Sequence, residues 1–299
     1  MRDSVIQINL FTAVKDKAVD YIALVKLRLT MMVVFSAGMG YTIVSYQAMN
    51  WNDLLIILFS GFLITGSANG INQIIERKLD ALMTRTKKRP LATGRIGLTE
   101  AVVITTLMGI VGAVLLGTYL NALSAIIATS SLIVYAFIYT PLKRITRLSV
   151  LAGAISGAAP PLIGYTAATG GFSELCGLLF LVQFVWQLPH FWAVAWMLDD
   201  DYKKAGFRLL PSLVGRGPES AKYIFGSTLL LIPINVYFIA ANYVGYAVGT
   251  VLILVTLNFL YQAYRLLKTE DLTDARKLMF GSFYYLPLIQ ILLLIGILL

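Results

Sequence analysis

Residues 53–75 read DLLIILFSGFLITGSANGINQII, and residues 76–95 continue as ERKLDALMTRTKKRPLATGR. The first stretch stays apolar long enough to cross a bilayer, which takes about 20 residues of helix. The second sets carboxylates and then basic residues directly behind it. Asn72, Glu76 and Asp80 fall four positions apart across the junction, so on a helix they share one face.

The same alternation of apolar run and charged boundary extends through all 299 residues. Runs at about 28–47, 53–75, 99–118, 121–141, 149–168, 175–197, 223–241, 244–264 and 279–298 predict nine transmembrane helices. Hydrophobic residues make up 58% of the chain and charged residues 13%, against about 45–50% and 25% in soluble proteins. The composition therefore predicts an all-α, polytopic membrane protein. It excludes a soluble enzyme, a disordered chain and a disulfide scaffold. The continuous apolar runs also argue against a transmembrane barrel, whose strands would alternate polar and apolar residues.

The net charge of +9 would suggest a nucleic-acid partner in a soluble protein. Here its placement gives another meaning. The odd-numbered connections are short and lack basic residues. The N-terminal stretch (Arg2, Lys15, Lys17, Lys26, Arg28) and the connections after spans two, four, six and eight hold all 24 Lys and Arg residues. Nine spans put every one of them on a single side, whereas eight or ten would scatter them. The positive-inside bias then predicts a cytoplasmic N-terminus and no nucleic-acid partner. Asp3, Lys15, Asp16, Lys17 and Asp20 interrupt the first twenty residues, so a cleavable signal peptide is not expected. With no Arg/Ser-rich transit peptide either, the expected location is a bacterial inner membrane. The lone Cys176 can form no intrachain disulfide. Small-residue pairs such as Gly153/Gly157 and Gly245/Gly249 are expected at helix-packing faces.

Two carboxylates and an amide on one helical face at a membrane boundary suit a hard divalent cation such as Mg²⁺, which is bound by one or two carboxylates together with phosphate oxygens. The basic run Arg85-Thr-Lys-Lys88-Arg89 follows closely, and its guanidinium groups match phosphate oxygens. A metal-bridged polyphosphate fits both features.

Span six carries a second polar pattern. Gln183, Gln187 and His190 form one stripe, and His190 is the only histidine in the chain. An ionisable side chain within a span is a functional candidate by default. A neutral imidazole there could meet a haem iron or carry a proton. Pro189 predicts a kink. The helix ends in Asp199-Asp200-Asp201, followed by Lys203, Lys204 and Arg208, a second acidic-then-basic boundary. The recurrence suggests one integral-membrane domain over 1–299 built on a pseudo-repeat, about 28–141 and 149–264, with the site between its halves.

Several motifs resemble the protohaem IX farnesyltransferase (haem O synthase) family of the intramembrane, UbiA-type prenyltransferases. They are Asn72-x-x-x-Glu76-x-x-x-Asp80, Arg85-Thr-x-x-Arg89-Pro-Leu-x-x-Gly94, Tyr139-Thr-Pro-Leu-Lys143-Arg144, Gly157-Ala-Ala-Pro160-Pro161-x-x-Gly164 and Trp186-Gln-x-Pro-His190-Phe-Trp192, which leads into Asp201-Tyr-x-x-Ala-Gly206. The resemblance covers nearly the whole chain. It implies nine helices around an intramembrane chamber, a diphosphate site at the cytoplasmic helix ends, a Mg²⁺ requirement, and haem B and farnesyl diphosphate as substrates. Two departures stand out. Glu76 occupies a position where the family usually has Asp, and Ala205 interrupts the second D-x-x-x-D of the wider superfamily.

On this resemblance the metal would be held by Glu76, Asp80 and a residue of the Asp199–Asp201 run, with Asp200 and Asp201 as candidates and Asp201 favoured. Asn72 would orient the metal or the diphosphate. Arg85, Lys88, Arg89, Lys143 and Lys204 would receive the charge of departing pyrophosphate. His190 would contact haem, with Trp186 and Trp192 as walls. A haem A synthase or a terminal oxidase is an expected assembly partner. Two rivals remain: a prenyltransferase for a quinone precursor or other aromatic acceptor, and a haem or lipid transporter that uses the polar stripes as a path.

Overall fold

In a computed structural model describing residues 14–299, nine helices are long and apolar enough to cross a membrane among the described residues. They are α1 (Leu27–Ala48), α2 (Trp51–Asp80), α3 (Leu98–Tyr119), α4 (Ala122–Leu142), α5 (Ser149–Thr169), α6 (Glu174–Lys204), α7 (Pro218–Ala240), α8 (Tyr246–Thr269) and α9 (Leu272–Leu298). A further helical segment, residues 14–24, precedes α1. Arg2 lies outside the described residues.

Each apolar run of the sequence becomes one helix, but the helices outlast the runs on the basic side. α2 continues to Asp80, α6 to Lys204 and α8 to Thr269, while α7 and α9 begin earlier, at Pro218 and Leu272. Charged residues are good helix formers and can project beyond the hydrocarbon layer, so hydrophobicity alone underestimates these ends. The basic residues after the eighth apolar run thus lie on the end of α8 and the start of α9, where Arg265 and Lys277 both pair with the buried Asp274.

Polar caps define the tight turns at the opposite end. Asn50 caps α2 by accepting from the amides of Asn52 and Asp53. Asn121 accepts from the Ser124 amide at the start of α4, and its own amide donates to the carbonyls of Thr166 and Ala167. One side chain therefore caps α4 and fastens it to the end of α5.

Small residues set the closest helix contacts. A side chain at Gly40 would collide with the backbone of Pro161, and one at Gly164 with the backbone of Ala37, so α1 and α5 approach each other backbone to backbone. Gly153 accepts the ring of Tyr139, Gly157 accepts the side chain of Gln187 and Gly249 receives Ile239. Gly245, expected to pack alongside Gly249, meets no neighbour and serves as the N-cap of α8. α6 runs through Pro189 as one continuous helix.

Candidate active site

The face predicted on α2 is buried, and three other segments close over it. Asn72 donates to Thr140 Oγ1 at 3.1 Å and accepts from Lys26 Nζ at 2.9 Å. Glu76 forms an ion pair with Lys143. Asp80 accepts 2.8 and 2.9 Å hydrogen bonds from Arg89. All three α2 residues are at most 3% exposed, so each carboxylate depends on its cation for compensation.

Local backbone geometry delivers these partners. α4 widens into a π-helical stretch over Val134–Tyr139, an irregularity that often marks functional sites. Beyond it Thr140 Oγ1 donates to the Tyr135 carbonyl and accepts from Asn72. Lys143 follows one turn later, its ammonium 4.9 Å from the ring centre of Tyr139 and 5.1 Å from that of Phe207. Burial lowers the pKa of Lys143, while the charge of Glu76 opposes that shift.

α6 ends in a turn that the sequence also dictates. Gly206 takes a φ of 71°, its amide bonds to the Lys203 carbonyl, and the Phe207 amide bonds to the Tyr202 carbonyl. These are the two hydrogen bonds of a Schellman cap, and the rings of Tyr202 and Phe207 pack edge to face at 5.8 Å. The reversal carries Phe207 over Lys143 and lets the Arg208 amide bond to the Lys143 carbonyl at 2.8 Å.

The two acidic-then-basic helix ends meet in space, though not as a four-carboxylate cluster. Asp201 accepts from the backbone amides of Thr84 (3.1 Å) and Arg85 (3.0 Å) and from Lys204 Nζ (2.7 Å). Lys204 also donates to Thr84 Oγ1. Asp201 and Lys204 thus clamp the loop after α2. Asp200 points elsewhere: its carboxylate is exposed and pairs with Arg216, while Asp199 pairs with Lys203. Successive helical residues are turned by about 100°, so neighbouring aspartates cannot all face α2. Among the described residues no three acidic, histidine or cysteine side chains converge as a metal site. The expected set Glu76, Asp80, Asp200 and Asp201 is therefore not assembled; Glu76 and Asp80 remain adjacent, one turn apart. Arg85 and Lys88 carry exposed side chains on the clamped loop.

The sequence did not single out Lys26. It is half-buried between the first helical segment and α1, with a left-handed φ of 51°. Burial, followed by the charges of Arg89 and Lys143, brings its pKa down to about 7. Lys26, Arg89 and Lys143 against Glu76 and Asp80 leave an excess of positive charge, an electrostatic arrangement that favours an anion. Beside Glu76 a cavity of about 650 Å³ is lined by residues that include Leu79, Thr140, Arg144 and Arg208.

The span-six stripe divides into two parts. Gln183 accepts from Ser36 and Gln290 and donates to the Gly157 carbonyl, which also receives Gln187. These amides bind helices together. Asn235 is likewise committed, to Leu231, Thr256 and Tyr285. Gln183, Gln187, Asn235 and Gln290 thus join helices, a packing role. His190 is stacked on Trp186 with ring centres 4.7 Å apart and meets Phe283 edge-on at 5.0 Å. Trp192 lies about 200° further round α6 and packs against Tyr223 of α7, so it does not form the second wall expected beside His190.

Residues 33–284 match the model of the UbiA prenyltransferase family. The chain is 44% identical over 271 residues to the protoheme IX farnesyltransferase of Cytophaga hutchinsonii, covering 91% of this chain and 95% of that protein. It is 41% identical over 275 residues to the enzyme of the same name from Christiangramia forsetii, covering 91% of each. A solved structure of digeranylgeranylglyceryl phosphate synthase shares the fold, with a TM-score of 0.78 and 21% identity over 95% of this chain and all of that one. So does a UbiA homologue from Archaeoglobus fulgidus bound to GPP and Mg²⁺, with a TM-score of 0.67 and 16% identity over 94% of this chain and all of that one.

Proposed function

The chain belongs to the UbiA prenyltransferase family, and we infer that it is a protohaem IX farnesyltransferase whose reaction centres on Asn72, Glu76 and Asp80. It transfers the farnesyl group of farnesyl diphosphate to a vinyl group of haem B, with addition of water, and yields haem O and pyrophosphate. The observation that carries the site assignment is the buried stripe on α2 faced by Lys26, Lys143 and Arg89.

The chemistry requires heterolysis of the bond between farnesyl C1 and the diphosphate oxygen. Arg89 and Lys143, with Lys26 behind Asn72, receive the charge that develops on the leaving group. The vinyl carbon attacks the allylic cation, and water traps the cation left on the haem side chain, losing a proton. Tyr139 and Phe207 are the aromatic rings beside the Glu76–Lys143 pair, and such rings can stabilise an allylic cation. Arg85 and Lys88 extend the positive surface along the loop clamped by Asp201 and Lys204. His190 with Trp186 forms the haem contact.

The donor set fits Mg²⁺: Glu76 and Asp80 are hard oxygen donors one turn apart, and this ion takes its remaining ligands from phosphate and water. Glu76 and Asp80 would hold it, with Asn72 beside them. When bound it supplies Lewis-acid neutralisation of the diphosphate. The fold of the archaeal homologue with GPP and Mg²⁺ supports this reading. The one-sided basic connections support a bacterial inner-membrane protein with its N-terminus and active-site loops in the cytoplasm.

The test is to incubate purified protein with haem B, farnesyl diphosphate and Mg²⁺ and analyse the products by mass. Haem O with pyrophosphate is expected. Pyrophosphate release only with a quinone precursor would move the assignment to another acceptor, and haem movement without product would indicate transport.

A further inference from the structure

The environment of His190 fixes more than its position. Ser282, on α9, is fully buried. Its hydroxyl lies 2.7 Å from His190 Nδ1 and donates its single proton to the Met279 carbonyl at 2.6 Å. A serine hydroxyl has one donor and two acceptor lone pairs. One hydroxyl proton serves two short contacts, and both are satisfied only when it goes to Met279 and the imidazole carries its hydrogen on Nδ1. Nε2 is then the nitrogen with the free lone pair, and it makes no hydrogen bond among the described residues.

The ring is held in place as firmly as the tautomer. The Ser282 carbonyl accepts from Trp186 Nε1 at 3.0 Å, and the Trp186 ring lies nearly parallel to the imidazole, 15° between planes. Phe283 covers the imidazole edge-on. Two consecutive residues of α9 therefore orient the histidine, and one backbone group fixes the indole on which it stacks. A neutral imidazole with one nitrogen hydrogen-bonded and the other open is the arrangement found at metal-ligating histidines, where the outer partner sets the tautomer.

We propose that His190 Nε2 ligates the iron of the incoming haem and that Ser282 is the positioning residue that keeps this nitrogen unprotonated. This deepens, and rests on, the reading of the protein as a haem farnesyltransferase. Iron ligation would fix the macrocycle by its centre and so determine which edge meets the allylic cation. No bond is made or broken beyond the iron–nitrogen coordination itself.

Absorption and electron paramagnetic resonance spectra of ferric haem B bound to the full-length protein test the proposal independently of turnover. The wild type should show a histidine-ligated haem. His190→Gly should lose that signature and regain it with added imidazole. Ser282→Ala should shift the spectrum and weaken haem affinity about tenfold, the lower end for loss of such a partner, while Ser282→Thr, which keeps a hydroxyl, should restore both. Farnesyl diphosphate affinity should stay unchanged throughout and serves as the check on folding. A wild-type spectrum in His190→Gly, or one in Ser282→Ala, overturns the proposal. Loss of turnover in His190→Gly with an unchanged spectrum also overturns it and makes the imidazole a base for the trapping water. Haem O made by a wild type lacking the histidine signature defeats this proposal alone. A ligated haem that is never farnesylated defeats the transferase reading and leaves the ligation standing.

Discussion

Lys143 reaches from the connection after α4 to pair with Glu76 on α2, and both side chains are almost wholly enclosed. The cation comes from the end of α4 and packs between the faces of Tyr139 and Phe207. Breaking a buried pair from one side leaves an uncompensated charge. Lys143→Met should therefore destabilise the protein by about 3–5 kcal/mol. Glu76→Gln/Lys143→Met should recover much of that stability and remain inactive. Thermal unfolding in detergent beside a turnover assay separates the two effects. A double variant no more stable than Lys143→Met would show that the charge of Glu76 is compensated by groups other than Lys143.

Asp201 and the amides of Thr84 and Arg85 give a second expectation. Asp201→Ala should release the loop after α2, so that trypsin cleaves faster at Arg85, Lys87 and Lys88, with turnover down on the order of tenfold or more through misplacement of the cations. Asp201→Asn keeps an oxygen acceptor and should retain part of the protection. Should Asp201→Asn remain fully protected yet lose all Mg²⁺-dependent activity, Asp201 is a metal ligand and its clamp is secondary.

Lys26 makes the site pH-dependent. Its folded pKa is lowered from 10.5 to about 7. Between those values the unfolded chain binds a proton that the folded chain lacks, so this residue's contribution to stability rises with pH across that window. Binding should run the other way. On the proposed role of Lys26 beside the diphosphate, affinity for farnesyl diphosphate should fall as pH rises through about 7 and the ammonium is lost. Lys26→Arg keeps its charge at every such pH and should remove the alkaline fall. A Lys26→Arg profile that matches the wild type would assign the titration elsewhere.

Chelation of divalent metal, or Asp80→Ala, should abolish turnover and weaken farnesyl diphosphate binding, while the spectrum of bound haem persists. Arg89 loses its partner in Asp80→Ala, so a circular-dichroism melt should accompany the assay. Substantial activity after chelation would remove the metal from the mechanism.

The nine helices were legible because each apolar run is long and the basic residues fall on one side of only one topology. The Asn72–Glu76–Asp80 face was legible because four-residue spacing is local geometry. Relations between distant segments were not legible. Nothing in Asp199-Asp200-Asp201 indicates that the first turns to Lys203, the second to Arg216 and the third to a loop 116 residues earlier. The π-helical stretch in α4 has an ordinary apolar sequence, yet it places Thr140 against Asn72. Lys26 looked like one more orienting charge until the fold buried it near Arg89. The Gln183–Gln187–His190 stripe predicted a shared face correctly, but only contacts from α5 and α9 separate its packing amides from its imidazole.

The loop clamp also orders events in time. Thr84 and Arg85 leave the ribosome long before Asp201, and the Lys143 carbonyl waits for the Arg208 amide. During synthesis the first five helices can be inserted while the cation-rich loop is still untethered, and its clamp closes only once α6 and its terminal turn have followed. A nascent chain therefore carries Arg85 and Lys88 on an untethered loop until Asp201 has been made.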